Sequence, residues 1–417
     1  MTGIGSNVDQ ILRPEPVRVC MLADRHGLYD DRIYWKEALS LTNKGYSVTI
    51  VINSGSSEQG TTAEGIHFIK IKKREFSGNR FLNYLLNLVH PTGLYPSMLR
   101  EVAKLQPVVC HLHDLNLNRI GGKLKKLPGK PKIIYDVHEP HPENILDYFR
   151  TKGVASLLKK WYAGYIRWWE QKCSKRYDLV ITTEDNLYRR FAGYLGSERV
   201  QIIYNYTDLN GTKPQTSEPE KVYDAIYCGG ITEFRGAFKI LEAVRIAARD
   251  LPGIKVLFLG TYFPAELKAR MEAFVTENNL DQNIVLKNSV PYKEVPEFYS
   301  KSRIGLGIFL PILSHRIILQ IKIFEYMAFG LPVIGSNFGH ISKYIRENRI
   351  GIEVDPGNPE EIARALIELL TNKDLYAQLS RNSQEASVNC RWGSMEQKLA
   401  DIYQSLLTDQ SSFRSHG

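Results

Sequence analysis

The chain has 417 residues, enough for two or three domains, each with its own core. Its 43% hydrophobic and 24% charged residues exclude wholesale disorder, and no apolar run reaches the ~18 residues of a membrane-spanning helix. The net charge of +9 resides in one half, since residues 1–205 sum to +10 and residues 206–417 to −1. Only the first half therefore suits an anionic partner (nucleic acid, a lipid surface or a diphosphate-bearing acceptor), the plain alternative being lysine kept for solubility.

Met1 to Pro16 is polar and has no signal-peptide core, which predicts a cytoplasmic protein. The five cysteines, Cys20, Cys110, Cys173, Cys228 and Cys390, lie far apart without metal-ligand spacing, and three sit in apolar runs. They are expected to be reduced core residues.

Val17–Ala23 reads as a buried strand, Tyr34–Gly45 as a helix closed by Gly45, and Ser47–Asn53 as the next strand. Such a β–α–β unit implies a parallel sheet covered by helices. Further strands are predicted at Val108–His111, Lys132–Tyr135 and Leu179–Thr182. Residues 207–221 are polar and rich in turn formers, and read as a linker. A second set follows at Tyr223–Tyr227, Lys255–Leu259, Ile284–Lys287, Ile304–Ile308, Pro332–Gly335 and Gly351–Val354. Two similar halves predict an α/β fold of two Rossmann-like domains, with ligands in the inter-domain cleft beyond the strands' carboxyl ends.

The segment 153–176 mixes Lys159, Lys160, Arg167, Lys172, Lys175 and Arg176 with Trp161, Tyr162, Trp168 and Trp169. It fits a helix lying in a lipid interface and equally a core helix with snorkelling lysines.

The strongest local signal is QIKIFEYMAFGLPVIG, Gln320–Gly335. Glu325 stands inside an otherwise apolar helix, so its carboxylate must find donors or lose its charge. Lys322 lies one turn earlier, near the helix start, where phosphate is favoured. This run resembles the donor-binding signature of glycosyltransferase family 4, a retaining family of GT-B fold. The resemblance extends from Val17 to about Leu407, and includes Gly351–Leu370 and the closing helix after Arg391–Trp392.

The resemblance implies a GT-B protein whose acceptor domain comprises residues 1–206 plus a returning helix 393–417. Residues 207–392 would then bind a nucleotide-sugar. Glu325 matches the second glutamate of the family's E-x7-E motif, which holds the ribose hydroxyls. The first falls at Ile317, a departure from the pattern. Lys322 matches a lysine of relatives reading P-x-K-x-x-E-Y, and is the candidate sugar or phosphate contact, with Ile323 beside it in the donor-binding set. In Cys228-Gly229-Gly230-Ile231-Thr232-Glu233-Phe234-Arg235-Gly236, Arg235 matches the lysine of a G-R-L-x-x-x-K-G stretch that contacts the donor diphosphate. Gly230 replaces the other cation, and Gly229 and Gly230 join the donor-binding set. His138, just beyond a strand end, matches a histidine that contacts the donor sugar; the other reading is a histidine ordering its loop with Asp136 or Glu139. The catalytic set is thus His138, Glu325 and Lys322. His113 and Asp114 are read as lining the cleft, and Arg32 as touching acceptor or phosphate.

The family retains anomeric configuration, and neither a D-x-D motif nor an enzymatic nucleophile is evident here. A metal-independent hexosyltransferase is expected, without a cofactor beyond its nucleotide-sugar co-substrate. It would act on a glycan or lipid-linked acceptor in cell-envelope polysaccharide or glycoconjugate synthesis, in the cytoplasm or peripherally on an anionic inner membrane face, with no nucleic acid. The alternatives are a sugar-nucleotide epimerase of the same fold and a catalytically inactive scaffold, the latter encouraged by Ile317 and Gly230.

Overall fold

A computed structural model describes residues 15–72, 94–148, 153–207 and 220–408. The start of the polar N-terminal segment, most of the expected linker (208–219) and the end of the returning helix (409–417) lie outside the described residues. The chain divides into two compact units, Met1–Tyr135 and Asp136–Gly417.

The first unit is built on β1 (Arg18–Ala23), β2 (Ser47–Ser54), β3 (Glu58–Thr61), β4 (His67–Lys72), β5 (Val109–His113) and the start of β6 (Lys132–Val137). Their order is β3-β4-β2-β1-β5-β6. β1 pairs in parallel with β2 from Arg18↔Ser47 and with β5 from Val19↔Val109, while β3 and β4 are antiparallel. A parallel strand is covered on both faces, which is why β1 is an unbroken apolar run buried from Val19 to Ala23.

The first helix departs from the expected start at Tyr34. It opens at Asp31 as a π-helix, Asp31–Ala38, and continues as α1 (Leu39–Asn43). Asp30 caps it, its carboxylate accepting from the backbone N–H of Arg32 and Ile33 at 3.0 Å. The wider winding brings residues five apart onto one face. Arg32 lies 2.9 Å from Glu37, and Lys36 lies 2.6 Å from Asp31. Both cations are buried. Helices α2 (Leu94–Leu105) and α3 (Asn118–Leu124) complete the described part of this unit.

The second unit begins inside β6 and continues through α4 (His141–Tyr148), α5 (Val154–Ser174), β7 (Leu179–Thr182), α6 (Asp185–Leu195) and β8 (Val200–Ile202), in strand order β6-β7-β8. A second parallel sheet follows. Its strands are β9 (Tyr223–Cys228), β10 (Val256–Gly260), β11 (Ile284–Asn288), β12 (Ser302–Gly307), β13 (Val333–Ser336) and β14 (Gly351–Val354). The order β11-β10-β9-β12-β13-β14 reverses between β9 and β12. Helices α7 (Ala237–Ala247), α8 (Leu267–Glu277), α9 (Val295–Ser300), α10 (Leu313–Ile317), α11 (Lys322–Ala328), α12 (Gly339–Asn348), α13 (Pro359–Thr371), α14 (Lys373–Ser387) and α15 (Trp392–Thr408) connect and cover these strands.

Alternate residues of β9 feed two cores. Ala225 and Tyr227 join the cluster that holds α7 and α13, and Ile226 and Cys228 join the one that holds α11. The result is the expected α/β architecture of two parallel sheets. Four of the five cysteines are buried and none is paired. No helix among the described residues is long and apolar enough to cross a membrane.

Candidate functional site

Loops at the carboxyl ends of β9 and β12 flank the reversal of strand order, where open α/β sheets bind ligands. The chain leaves β9 through Gly229 at φ 110°, and Thr232 then caps a short turn, Glu233–Arg235. Gly236, at φ 71°, starts α7. A methyl group on Gly236 would lie 3.0 Å from the carbonyl oxygen of Ile308, so glycine lets the β9 and β12 loops touch.

Tyr326 fixes α11 over these loops. Its hydroxyl accepts from the Cys228 N–H and lies 3.2 Å from the carbonyl oxygens of Ile226 and Leu306, bridging β9 and β12. Gly305 makes the room, because a side chain there would overlap the Tyr326 ring. With Tyr326 seated, Ile323 points into the core, whereas Lys322 and Glu325 are buried polar groups at the site.

Glu325 accepts from the Tyr292 hydroxyl at 3.0 Å on Oε1 and from the Tyr299 hydroxyl at 2.6 Å on Oε2. A buried carboxylate is thereby satisfied by two tyrosines. Burial, then the Glu325 charge, pushes the Tyr299 hydroxyl far above its usual range, so it stays a donor. The Cys228 thiol is pushed up to about 11 by burial and by the same carboxylate.

Lys322 is the opposite case. Its Nζ has no hydrogen-bond partner among the described residues, although the side chain is buried. It lies 3.5 Å from the Tyr227 ring centroid and 5.3 Å from that of Phe309. Burial, with the Arg235 guanidinium as a second cause, holds its pKa well below the usual lysine range. A side chain at Gly229 would reach within 3.7 Å of this ammonium. Arg235 is half-buried, with Nη1 3.4 Å from the Gly230 carbonyl oxygen. Next to them, His315 Nδ1 meets the Leu310 carbonyl at 2.9 Å. Burial, followed by repulsion from Arg235 and Lys322, brings the His315 pKa down to about 4. Neither cation is hydrogen-bonded to a carboxylate among the described residues, and two such cations beside a glycine loop suit an anion with vicinal phosphate oxygens.

The structure thus brings together Gly229, Gly230, Arg235, Lys322 and Glu325. Ile317 ends α10, and its carbonyl accepts from Asn186 at 3.3 Å. The α10 N-terminus is held by Asp147 of α4, whose carboxylate accepts from Leu313 N–H at 3.1 Å and Ser314 N–H at 2.6 Å. His138 Nε2 lies 3.0 Å from Asp136 Oδ2. Sequence reasoning missed Tyr292, Tyr299, Tyr227, Phe309 and His315. The polarity of the Tyr292 to Tyr299 segment gave no sign that it faces Glu325.

In the first unit, Arg32 is committed to Glu37, whose Oε2 also lies 3.9 Å from His111 Nδ1 and 4.0 Å from His113 Nε2. Ligand atoms of Glu37, His111 and His113 lie within 4.8 Å of one another, a spacing a metal ion can use, while the Arg32 guanidinium meets the other Glu37 oxygen, Oε1. Asp114, at φ 73°, lies 2.7 Å from His26 Nε2, whose other ring nitrogen meets Asp30 at 2.8 Å. Burial lowers the His26 pKa, but these two carboxylates outweigh it and push it up to about 10. His26 also escaped the sequence reading.

Comparison with known proteins gives two family matches end to end, "Glycosyltransferase Family 4" over residues 35–210 and "Glycosyl transferases group 1" over residues 210–386. Among curated relatives, spore coat protein SA of Bacillus subtilis is 22% identical over 54% of this chain and 64% of its own length. The phosphatidyl-myo-inositol mannosyltransferase of Mycobacterium leprae is 22% identical over 64% of this chain and 68% of its own. The chain thus spans about two thirds of the length of these relatives. Among solved structures, Anabaena HepE in complex with UDP and glucose superimposes with a TM-score of 0.69 over 93% of this chain and 100% of its own, at 13% identity. That likeness shows the fold, which is GT-B.

Proposed function

Because this chain belongs to glycosyltransferase family 4, we propose that it transfers a hexosyl group from a nucleotide-sugar to a glycan or lipid-linked acceptor. Residues 207–392 are the donor-binding part in this reading, and residues 1–206 receive the acceptor. The single observation that carries it is Lys322, a buried ammonium with no hydrogen-bond partner among the described residues, set beside Arg235 and the Gly229 turn. Such a group is costly until an anion arrives. A donor diphosphate supplies that anion, and as it becomes the leaving group its growing charge is stabilised by the two cations already in place. Glu325, pre-oriented by Tyr299, accepts the ribose hydroxyls.

Retention of anomeric configuration, independence of metal and cell-envelope synthesis belong to the same proposal and rest on the family resemblance; a cytoplasmic location is part of it as well. His138 is assigned to the donor sugar on that ground too. The test is a thermal-shift screen of uridine, guanosine and adenosine diphospho-sugars, followed by donor turnover with a chelator present. One donor series stabilising the protein and being slowly hydrolysed supports the transferase. Interconversion of the sugar without transfer or hydrolysis identifies an epimerase, and binding without turnover a scaffold.

A further inference from the structure

The second unit carries a helix that wears its apolar side outward. In α5 the residues turned inward are Ala163, Ile166, Glu170 and Ser174. Polar links hold that side: Glu170 lies 3.1 Å from Arg190, Arg190 lies 3.2 Å from Glu143, and Arg167 lies 2.6 Å from Glu143. The opposite side presents Leu157, Leu158, Trp161, Tyr165 and Trp168 to solvent, with Trp161 70% and Trp168 51% exposed. Steps of three and four residues align them in one stripe.

The stripe is ordered by its own rings. Trp161 stacks on Tyr165 at 6.0 Å between centroids, Tyr165 meets Trp168 at 5.8 Å, and the Lys172 ammonium sits 4.7 Å above Trp168. Leaving tryptophans in water is unfavourable, and a contiguous exposed apolar patch marks a surface that meets something else.

Charge identifies the occupant. Between Gly153 and Arg176 there are six cations; Arg167 pairs with Glu143 and Lys159 donates to the Leu146 carbonyl, while Lys160, Lys172, Lys175 and Arg176 are exposed, and the one carboxylate, Glu170, is buried and paired. A second copy of the chain would set like charges against each other across a two-fold axis, with no exposed carboxylate of α5 to answer them. A single apolar stripe with cations along its edge and at its end is instead the pattern of a helix lying flat in a bilayer interface. There tryptophan and tyrosine rings sit at headgroup depth, and lysine and arginine meet anionic lipid phosphates.

We propose that the exposed stripe of α5, centred on Trp161, Tyr165 and Trp168, is a docking surface for a bilayer containing anionic phospholipid. It extends the transferase reading by giving it a surface on which a lipid-linked acceptor is presented, and it stands independently of the donor site.

The experiment uses the full chain with vesicles of phosphatidylcholine alone or with phosphatidylglycerol. Sedimentation is measured at low and high salt, and tryptophan emission alongside. At low salt the protein is expected to bind the anionic vesicles at least tenfold more tightly than the neutral ones, with blue-shifted emission, and to release them as salt rises. The variant Trp161→Ser/Trp168→Ser changes only exposed side chains and is expected to keep its melting temperature and its soluble nucleotide binding. Its affinity for anionic vesicles is expected to fall at least tenfold, and Lys160→Glu/Lys172→Glu is expected to fall similarly. Absence of vesicle binding at low salt overturns the proposal. So does binding that both variants leave unchanged, or a dimer in light scattering that the tryptophan variant dissociates. Nucleotide binding measured without vesicles reports separately on the donor site.

Discussion

The Tyr299 hydroxyl donates to Glu325 Oε2 across 2.6 Å, while the Tyr292 hydroxyl holds Oε1 across 3.0 Å. Tyr299 is buried and Tyr292 is 41% exposed, so the two bonds have different roles. The inner one orients the carboxylate, and the outer one occupies the oxygen that a ligand hydroxyl would use.

Tyr299→Phe leaves a buried carboxylate oxygen without its donor and is expected to cost about 1–3 kcal/mol of stability. Its nucleotide affinity should fall with it. Tyr292→Phe is expected to change stability by less than about 1 kcal/mol, because water can replace an exposed hydroxyl. It should also raise nucleotide affinity, since Oε1 no longer has to exchange one hydroxyl for another. Urea unfolding and calorimetric titration measure both. Equal losses of affinity in the two variants would show that Tyr292 is not displaced by the ligand.

Lys322→Met is expected to weaken a nucleoside diphosphate at least tenfold while leaving the nucleoside nearly unaffected, because in the proposed donor site the ammonium faces the phosphates and not the nucleoside. The pH behaviour has a definite sign. The folded-state pKa is depressed by burial, so below the unfolded-state value the unfolded chain binds the extra proton and wild-type stability rises with pH toward ~10.4. The variant should therefore be the more stable protein at neutral pH, with its advantage shrinking as pH rises. Diphosphate binding brings a counter-charge and should take up protons, read as a dependence of binding heat on buffer ionisation. A heat independent of buffer, with wild-type affinity in the variant, would remove Lys322 from the site.

The fold was legible where local pattern and burial agree. The continuous apolar runs that predicted parallel strands are those strands, since a strand covered on both faces has no polar side to interrupt it. Glu325 was legible as a demand, a carboxylate in an apolar helix that needed donors. Its donors were not, because Tyr292 and Tyr299 lie 33 and 26 residues away and only packing brings them close. Arg32 was read, on the family resemblance, as touching acceptor or phosphate, and its real partner was not legible. The partner, Glu37, is five residues on, a neighbour only in the π-helical turn that Asp31–Ala38 adopts. Similarly, Gly229 stood out in the sequence, whereas Gly260, on which its position depends, looked like an ordinary strand end.

Gly260 closes β10 directly beneath the Gly229 turn, where a methyl group would overlap the Gly229 carbonyl. That obstacle is backbone, and it cannot swing aside as a flexible side chain would. Gly260→Ala is expected to destabilise the protein by about 3 kcal/mol and to weaken diphosphate binding by displacing the loop. Gly253→Ala, with nothing near its added methyl, is the control. If both variants unfold at the same denaturant concentration, the close approach of β9 and β10 at Gly260 is wrong.

His315 supplies a pH test of the same site that does not depend on any ligand. Its ring is buried between Phe309, at 5.4 Å between centroids, and the Leu310 carbonyl, and its pKa is brought down to about 4 by burial and then by the repulsion of Arg235 and Lys322. In the unfolded chain a histidine titrates near ~6.5. Between these values the unfolded state holds a proton that the folded state refuses, so stability falls on acidification from about pH 6.5 toward pH 4 and is unaffected above that window. Near pH 4.5 the loss attributable to this one group is about 2–3 kcal/mol. His315→Asn keeps an N–H for the Leu310 carbonyl and removes the titration. It is expected to resemble the wild type at pH 7.5 and to lose about 2–3 kcal/mol less by pH 4.5, measured as urea midpoints at the two pH values. Lys322→Met, by taking away one of the two repelling cations, should raise the His315 pKa and narrow the acid-sensitive window, a shift that the ring-proton resonances report directly. An unchanged acid limb in the asparagine variant, or a His315 resonance titrating near 6.5 in the wild type, would place the imidazole in water and dissolve the cationic cluster around Lys322.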